Sequence, residues 1–334
     1  MLGCTLLAST AWADNTAHVG YNIAPLVADQ AGVAPNTDPN LVNPWGLCQL
    51  NDGAPVWVSD NGTGKSTFYD RQTGQLQFPI VAIPSGVPTG CVSVPTGINF
   101  NLSEGGPSGR AYFIFDSEAG LITGWSPLVD QNNAITGYDG TSQGSIYKGL
   151  AIDATNKHLL AADFKNNQVQ IIDTSWAATG SFTDSGLPKG FAPFNVAVLN
   201  GKVYVAFAKR AKHGGDEVDG AGLGYVDVFD LSGNLQTHLI ANGALNAPWG
   251  MTIAPAQFGT FSGALLVGNF GDGRINAYDA TTGDFLVTLG NKRNRPLKID
   301  GLWALDAGPG KSTVQYSAGP NNETHGVLGN IKPN

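Results

Sequence analysis

Short apolar runs separated by turn residues recur along this chain at a nearly constant spacing, and that recurrence limits the fold more than any other feature. The clearest copy is the segment 245–285, LNAPWGMTIAPAQFGTFSGALLVGNFGDGRINAYDATTGDF. Its apolar runs, 251–254, 264–267 and 274–278, are too short for helices. They alternate with Gly, Asn, Asp and Pro, which punctuate strands and supply positive φ at tight turns. The segment therefore reads as one antiparallel meander. A lone meander cannot bury its faces, so the copies must stack on one another. Taking Gly46, Gly97, Gly149, Asn195, Gly250 and Gly301 as markers of the inner strands, the copies fall roughly fifty residues apart, the blade length of a propeller. The last copy is one strand short, and an isolated early strand, YNIAPLVA from Tyr21, supplies it. The expected fold is all-β: a six-bladed β-propeller over residues 14–334, closed by pairing of the N-terminal strand with the last blade.

Composition agrees, with 45 Gly, 19 Pro and 13% charged residues: many turns and few of the Glu, Lys and Arg that decorate helices. A net charge of -8 leaves no basic footprint for a phosphate backbone, so nucleic acid is not an expected partner. Residues 1–13 read as a truncated signal peptide. The run 2–11 is apolar and Ala11-Trp12-Ala13 fits a cleavage motif, but the basic leader is missing. Secretion or a periplasmic location follows as the expectation. The triplet Leu2-Gly3-Cys4 lacks the apolar run that precedes a lipoprotein site. No later stretch is long and apolar enough to span a membrane, and a monomer is expected. Without the leader two cysteines remain, Cys48 and Cys91, near the inner strands of adjacent blades; they either pair or persist as two buried thiols.

The motifs NPWGL at Asn43, SDNGTG at Ser59, YKGLA at Tyr147, APFNV at Ala192, LNAPWG at Leu245, LLVGNFGDG at Leu265, DGLWAL at Asp300 and AGPNNETHGVLG at Ala318 together carry a resemblance. The chain resembles an uncharacterised family of exported bacterial proteins with NHL-like six-bladed propellers, and more distantly the gluconolactonase-type propellers. The resemblance implies fold and export and brings no established reaction. Cys48 and Cys91 depart from the family's pattern.

Strand order within a meander sorts the loops between two faces. The start of each inner strand and the loop between strands two and three share one face, and the tight turns take the other. The first face is expected to collect Asp60, Asp116, Asp163, Asn195 and Asn269, a set of oxygens suited to Ca²⁺ or another divalent metal. The same face holds Trp45, Asn61, Lys148, Lys165, Trp249, Asp272 and Asp300 as ligand-facing residues and His325 as the one candidate general base. Against this stands the plainer alternative that each Asp and Asn caps its own turn. The insertion 209–224 reads as a lid or solvated tip, because Asp216, Glu217 and Asp219 lack the spacing of a calcium loop. Gly64-Lys65-Ser66 and Gly140-Thr141-Ser142-Gln143-Gly144 match a phosphate loop and a nucleophile elbow by letter only, with no helix to follow. Two functions remain: binding of a small molecule, glycan or protein on the polar channel face, or a metal-dependent hydrolase of lactonase or esterase type with its centre in the channel.

Overall fold

Turn chemistry builds each blade. Asn200 and Gly201 hold φ of 50° and 74° and join the inner strand Phe191–Leu199 to Lys202–Arg210, the two-residue hairpin geometry whose twist matches paired strands. In the computed structural model, which describes residues 20–84, 86–212 and 215–334, six such antiparallel meanders stand around one axis. The expected leader, 1–13, lies outside the described residues. From blade 1 to blade 6 the inner strands are Pro44–Cys48, Pro88–Ser93, Tyr147–Asp153, Phe191–Leu199, Pro248–Ile253 and Leu302–Ala307.

Closure follows the expected plan. Tyr21–Ala28 runs antiparallel to Val327–Pro333, with Tyr21 opposite Pro333 and Ala28 opposite Val327, so the first described strand becomes the outer strand of blade 6. The Tyr21 hydroxyl donates to the Phe258 carbonyl at 2.9 Å and its ring stacks on Phe258 at 4.7 Å. The apolar core lies between blades. Val27, Leu41, Val56, Val58, Tyr69 and Leu328 form one buried cluster that joins blade 6 to blade 1 across the closure.

Two of the six sequence markers are corrected. Blade 2 begins its inner strand at Pro88, and Gly90, not Gly97, stands beside Gly46. Blade 6 begins at Leu302, so Ala304, not Gly301, takes the equivalent place. The reason is steric. A Cβ added to Gly46 would sit 2.6 Å from the Thr89 carbonyl oxygen and 2.7 Å from the Cys91 nitrogen, whereas one added to Gly97, at φ 91°, would meet nothing within 4 Å. Gly46 is required by the close approach of two backbones, and Gly97 by a turn open to solvent. Residues 94–112 form an excursion carrying the small hairpin Asn101–Ser103 and Ser108–Arg110.

Cys48 and Cys91 are paired in a disulfide between the inner strands of blades 1 and 2, with Cα atoms 5.5 Å apart, inside the usual span for such a bond.

Gly250 repeats the Gly46 contact: its added Cβ would lie 2.5 Å from the Trp303 carbonyl oxygen and 2.8 Å from the Leu305 nitrogen. Gly250→Ala is therefore expected to destabilise the protein by about 1–3 kcal/mol in denaturant titration. Gly180→Ala, where the nearest atom is 3.9 Å away, is expected to stay within about 0.5 kcal/mol of wild type.

Candidate functional site

Where the inner strands begin, four of them place an aromatic residue one position before the close approach: Trp45, Phe194, Trp249 and Trp303. Thr89 and Lys148 hold that position in blades 2 and 3. The aromatic side chains pack on the axis with Phe164, Ala192 and Ala247. Trp45 and Trp303 stack with centroids 3.4 Å apart, Trp249 meets both edge-on at 6.0 and 5.8 Å, and Phe270 stacks on Trp303 at 4.1 Å. Such offset and edge-to-face pairs are the favoured aromatic geometries. Two indole N–H groups are satisfied: Trp249 Nε1 donates to the Lys148 carbonyl at 2.8 Å and Trp303 Nε1 to Asn43 Oδ1 at 2.9 Å. The mouth of the channel is thus closed by indoles. Beneath them a cavity of about 330 Å³ runs along the inner strands past Leu150, Val196 and Met251 towards Gln49, Thr252 and Asp306.

Lys148 sits over this plug. Its ammonium lies 5.2 Å from the Trp45 ring centroid, 2.6 Å from Glu118 Oε1 and 3.9 Å from Glu217 Oε2, with a side chain 3% exposed. Glu118 Oε2 also accepts from Asn61 Nδ2 at 3.0 Å, and Asn43 Nδ2 donates to Glu323 Oε2 at 2.7 Å. Blades 1, 2, 3, 4 and 6 therefore meet in one polar cluster at the mouth, which is the face where the loops between strands two and three were expected. Burial works against the Lys148 ammonium, but Glu118 and Glu217 outweigh it and hold the group above its ordinary value. Burial pushes Glu217 up to about 7 although Lys148 opposes the shift. Burial also raises Glu323, against its hydrogen bond from Asn43. Three glutamates and one lysine leave an excess of carboxylate at the mouth.

The residues chosen from sequence divide. Trp45, Asn61, Lys148 and Trp249 belong to the mouth. Asp60, Asp116, Asp163 and Asn269 are each fully buried and bond within their own blade or its incoming connector, while Asp60 Oδ1, Asp116 Oδ2 and Asn269 Oδ1 are enclosed without a partner. Asp60 Oδ2 accepts from the Thr67 amide and hydroxyl at 3.0 and 2.8 Å. Asp116 Oδ1 accepts from the Thr89 hydroxyl and the Gly90 amide at 2.8 and 2.6 Å, and burial still pushes its carboxyl up to about 6. Asp163 Oδ1 and Oδ2 receive the Asn166 amide and side chain, and Asn269 Nδ2 donates to the Ala244 carbonyl and to Asp272 Oδ1. Asn195 uses both side-chain atoms, donating to the Trp249 carbonyl at 2.8 Å and accepting from the Val196 amide. Among the described residues Asp60, Asp116 and Asp163 do not form a group with ligand atoms within 4.8 Å of one another. Asp300 caps Asn321, and the Lys165 carbonyl accepts from Arg210 at 2.7 Å. His325 uses both ring nitrogens, Nδ1 at 2.8 Å from Asp29 Oδ2 and Nε2 at 2.9 Å from Gln30 Nε2, so it ties the N-terminal segment to blade 6.

Four members of the cluster were not among the chosen residues: Asn43, Glu118, Glu217 and Glu323. Glu217 lies in the insertion expected to be a lid or tip. Instead Glu217–Val218 pairs with the end of Lys202–Arg210, Arg210 opposite Glu217, which carries the carboxylate inward to Lys148. His213 in that insertion lies outside the described residues.

No family model matches the chain. Uncharacterized protein L690 of Acanthamoeba polyphaga mimivirus is 30% identical over 325 residues, covering 93% of this chain and 85% of that protein. Uncharacterized protein R648 of the same virus is 30% identical over 303 residues, covering 85% of this chain and 73% of its own length. The chain belongs to the family of these viral proteins. An exported bacterial origin, which the sequence motifs suggested, is not supported by these relatives. In fold, a streptogramin B lyase superimposes with a TM-score of 0.57 at 11% identity over 96% of this chain and all of that one. A Bacteroides thetaiotaomicron protein of unknown function reaches 0.62 at 10% identity over 94% of this chain and 76% of its own. Both share the propeller architecture.

Two outcomes follow for the mouth. Trp303→Ala removes the centre of the plug and is expected to cost about 3–5 kcal/mol of unfolding free energy. Glu217 binds a proton more tightly folded than unfolded, so its contribution to stability is present at low pH and is lost as pH rises from about 4.5 to about 7. In this window wild type is expected to lose stability faster than Glu217→Gln, by about 1 kcal/mol per pH unit, in denaturation curves measured at each pH.

Proposed function

We propose that this protein is a ligand-binding propeller, exported to an oxidising compartment, whose acidic mouth binds a small molecule bearing an amine or many hydroxyl groups, such as an amino sugar or a glycan fragment. The observation that carries this reading is the convergence of Glu118 and Glu217 on one buried lysine at the axis, with Glu323 held in the same cluster by Asn43. Carboxylates held in a partly desolvated place attract a cation more strongly than exposed ones do. The Cys48–Cys91 disulfide supports an oxidising compartment, as does the apolar run 2–11 followed by Ala11-Trp12-Ala13. A metal-dependent lactonase or esterase centre at Asp60, Asp116, Asp163, Asn195 and Asn269 has less support, because Asp60, Asp116 and Asp163 do not bring ligand atoms within 4.8 Å of one another.

The test is a calorimetric and thermal-shift panel of polyamines, amino sugars, neutral oligosaccharides and acidic sugars, each at pH 6 and pH 8. Cationic ligands are expected to bind more tightly at pH 8, as Glu217 ionises, to weaken with salt, and to lose affinity in the Glu217→Gln plus Glu323→Gln variant. Preferential binding of acidic sugars, or turnover of lactones and esters that depends on added metal, would replace this reading.

A further inference from the structure

Blade 4 carries a second cluster of chemistry-bearing side chains, built from its two outer strands and from the connector that enters it. Asp227 on Tyr225–Phe229 lies directly opposite His238 on Leu235–Ala241, beside a register shift between Val226 and Asp227. Asp184 arrives from the connector between blades 3 and 4, and the Gly186 amide fixes its carboxylate by donating to Oδ1 at 2.7 Å. His238 Nδ1 is 3.2 Å from Asp184 Oδ2 and 3.3 Å from Asp227 Oδ1. Among the described residues this is the one group of three His, Cys, Asp or Glu side chains whose ligand atoms all lie within 4.8 Å of one another.

Burial separates this cluster from ordinary surface acids. Asp184 and Asp227 are 7% and 1% exposed, while the His238 side chain is 60% exposed. Asp227 Oδ2 is enclosed without a hydrogen-bond partner. Two carboxylates sealed together repel each other and have lost their hydration, and an enclosed oxygen with no donor adds to the cost. A dication between the two acids offsets all three penalties at once.

The spacing fits. Two ligand atoms each about 2.1 Å from one metal, at angles between octahedral and tetrahedral, stand about 3.0–3.4 Å apart. We propose that Asp184, Asp227 and His238 form a binding site for a first-row divalent transition metal such as Zn²⁺, with His238 Nδ1 as its nitrogen ligand. One imidazole with two carboxylates suits Zn²⁺ or Mn²⁺ better than Ca²⁺, which takes six to eight oxygens. The Gly186 amide is the outer partner that orients an anionic ligand. Bound there, the metal clamps the connector 183–190 against blade 4, and the exposed side of His238 leaves coordination positions for water. This site does not depend on the reading of the channel mouth.

The experiment uses the untagged full chain, stripped with a chelator and dialysed against micromolar Zn²⁺, Mn²⁺ or Ca²⁺ in turn, with metal content and thermal melting measured on the same samples. About one Zn²⁺ or Mn²⁺ per chain is expected, with a melting temperature several degrees above that of the stripped protein. His238→Ala and Asp227→Asn are expected to weaken binding by at least about tenfold and to abolish the metal-dependent shift. Because Asp227→Asn alters a buried side chain, His238→Gln, at an exposed position, serves as the second variant, with folding checked by circular dichroism. The proposal is overturned by failure to bind either metal stoichiometrically, by unchanged binding in His238→Ala and His238→Gln, or by uptake of Ca²⁺ alone. An imidazolium shared with the two acids, seen by NMR titration and indifferent to metal, overturns it as well.

Discussion

Backbone-to-backbone contact between neighbouring inner strands sets the width of the axis, and that width decides what the channel can hold. Where Gly46 lies against Thr89 and Cys91, and Gly250 against Trp303 and Leu305, a side chain has no room. The strands therefore come closer than side-chain packing allows. The residues one position earlier, Trp45 and Trp249, and Trp303 ahead of Ala304, are delivered to a space narrow enough for their rings to meet. Close packing of this kind resists both removal and enlargement of its members. Thus the glycines make the plug and the plug makes the mouth shallow.

A shallow mouth over an aromatic floor is a demanding place for a charge. Lys148 is held there because Glu118 and Glu217 face it, and Asn61 and Asn43 in turn tie Glu118 and Glu323 to blade 1. Removing one partner from such a network leaves an uncompensated charge, which costs more than the network contributes as a whole. Yet the cluster carries more carboxylate than it needs for one ammonium. That surplus at the end of the channel is what the proposed recognition of a cationic or hydroxyl-rich ligand would use.

Much of the architecture was legible in the chain because it is written in local chemistry. Tyr21–Ala28 was recognisable as an isolated strand with no partner nearby in sequence, and it pairs where the missing strand of blade 6 left room. Asn200-Gly201 was recognisable as a hairpin from its residue types alone. Gly97 misled because a glycine in an open turn and a glycine in a close contact are the same letter; Gly301, itself pressed against the Gly319 backbone, misled because it lies just ahead of the inner strand Leu302–Ala307. The acids misled for a related reason. The positions of Asp60 and Asp163 at strand ends were right, but the direction of each carboxylate is set by donors that sequence spacing does not rank, Thr67 for one and Asn166 for the other. Glu217 was hidden because its partner, Lys148, lies on a different blade. The Asp184, Asp227 and His238 cluster was hidden because it forms across a strand pair and a connector.

The polar site and the width of the axis both depend on the closed aromatic mouth. Hydrogen exchange of the indole N–H groups, assigned by single Trp→Phe variants and followed by NMR, tests it directly. The Nε1 protons of Trp249 and Trp303, bonded to the Lys148 carbonyl and to Asn43 Oδ1, are predicted to exchange only through global unfolding, with protection equal to that of the most stable strand amides. Exchange of both within the dead time of the measurement would show water standing in the mouth and would contradict the plug, the shallow polar site above it and the ligand class assigned to that site.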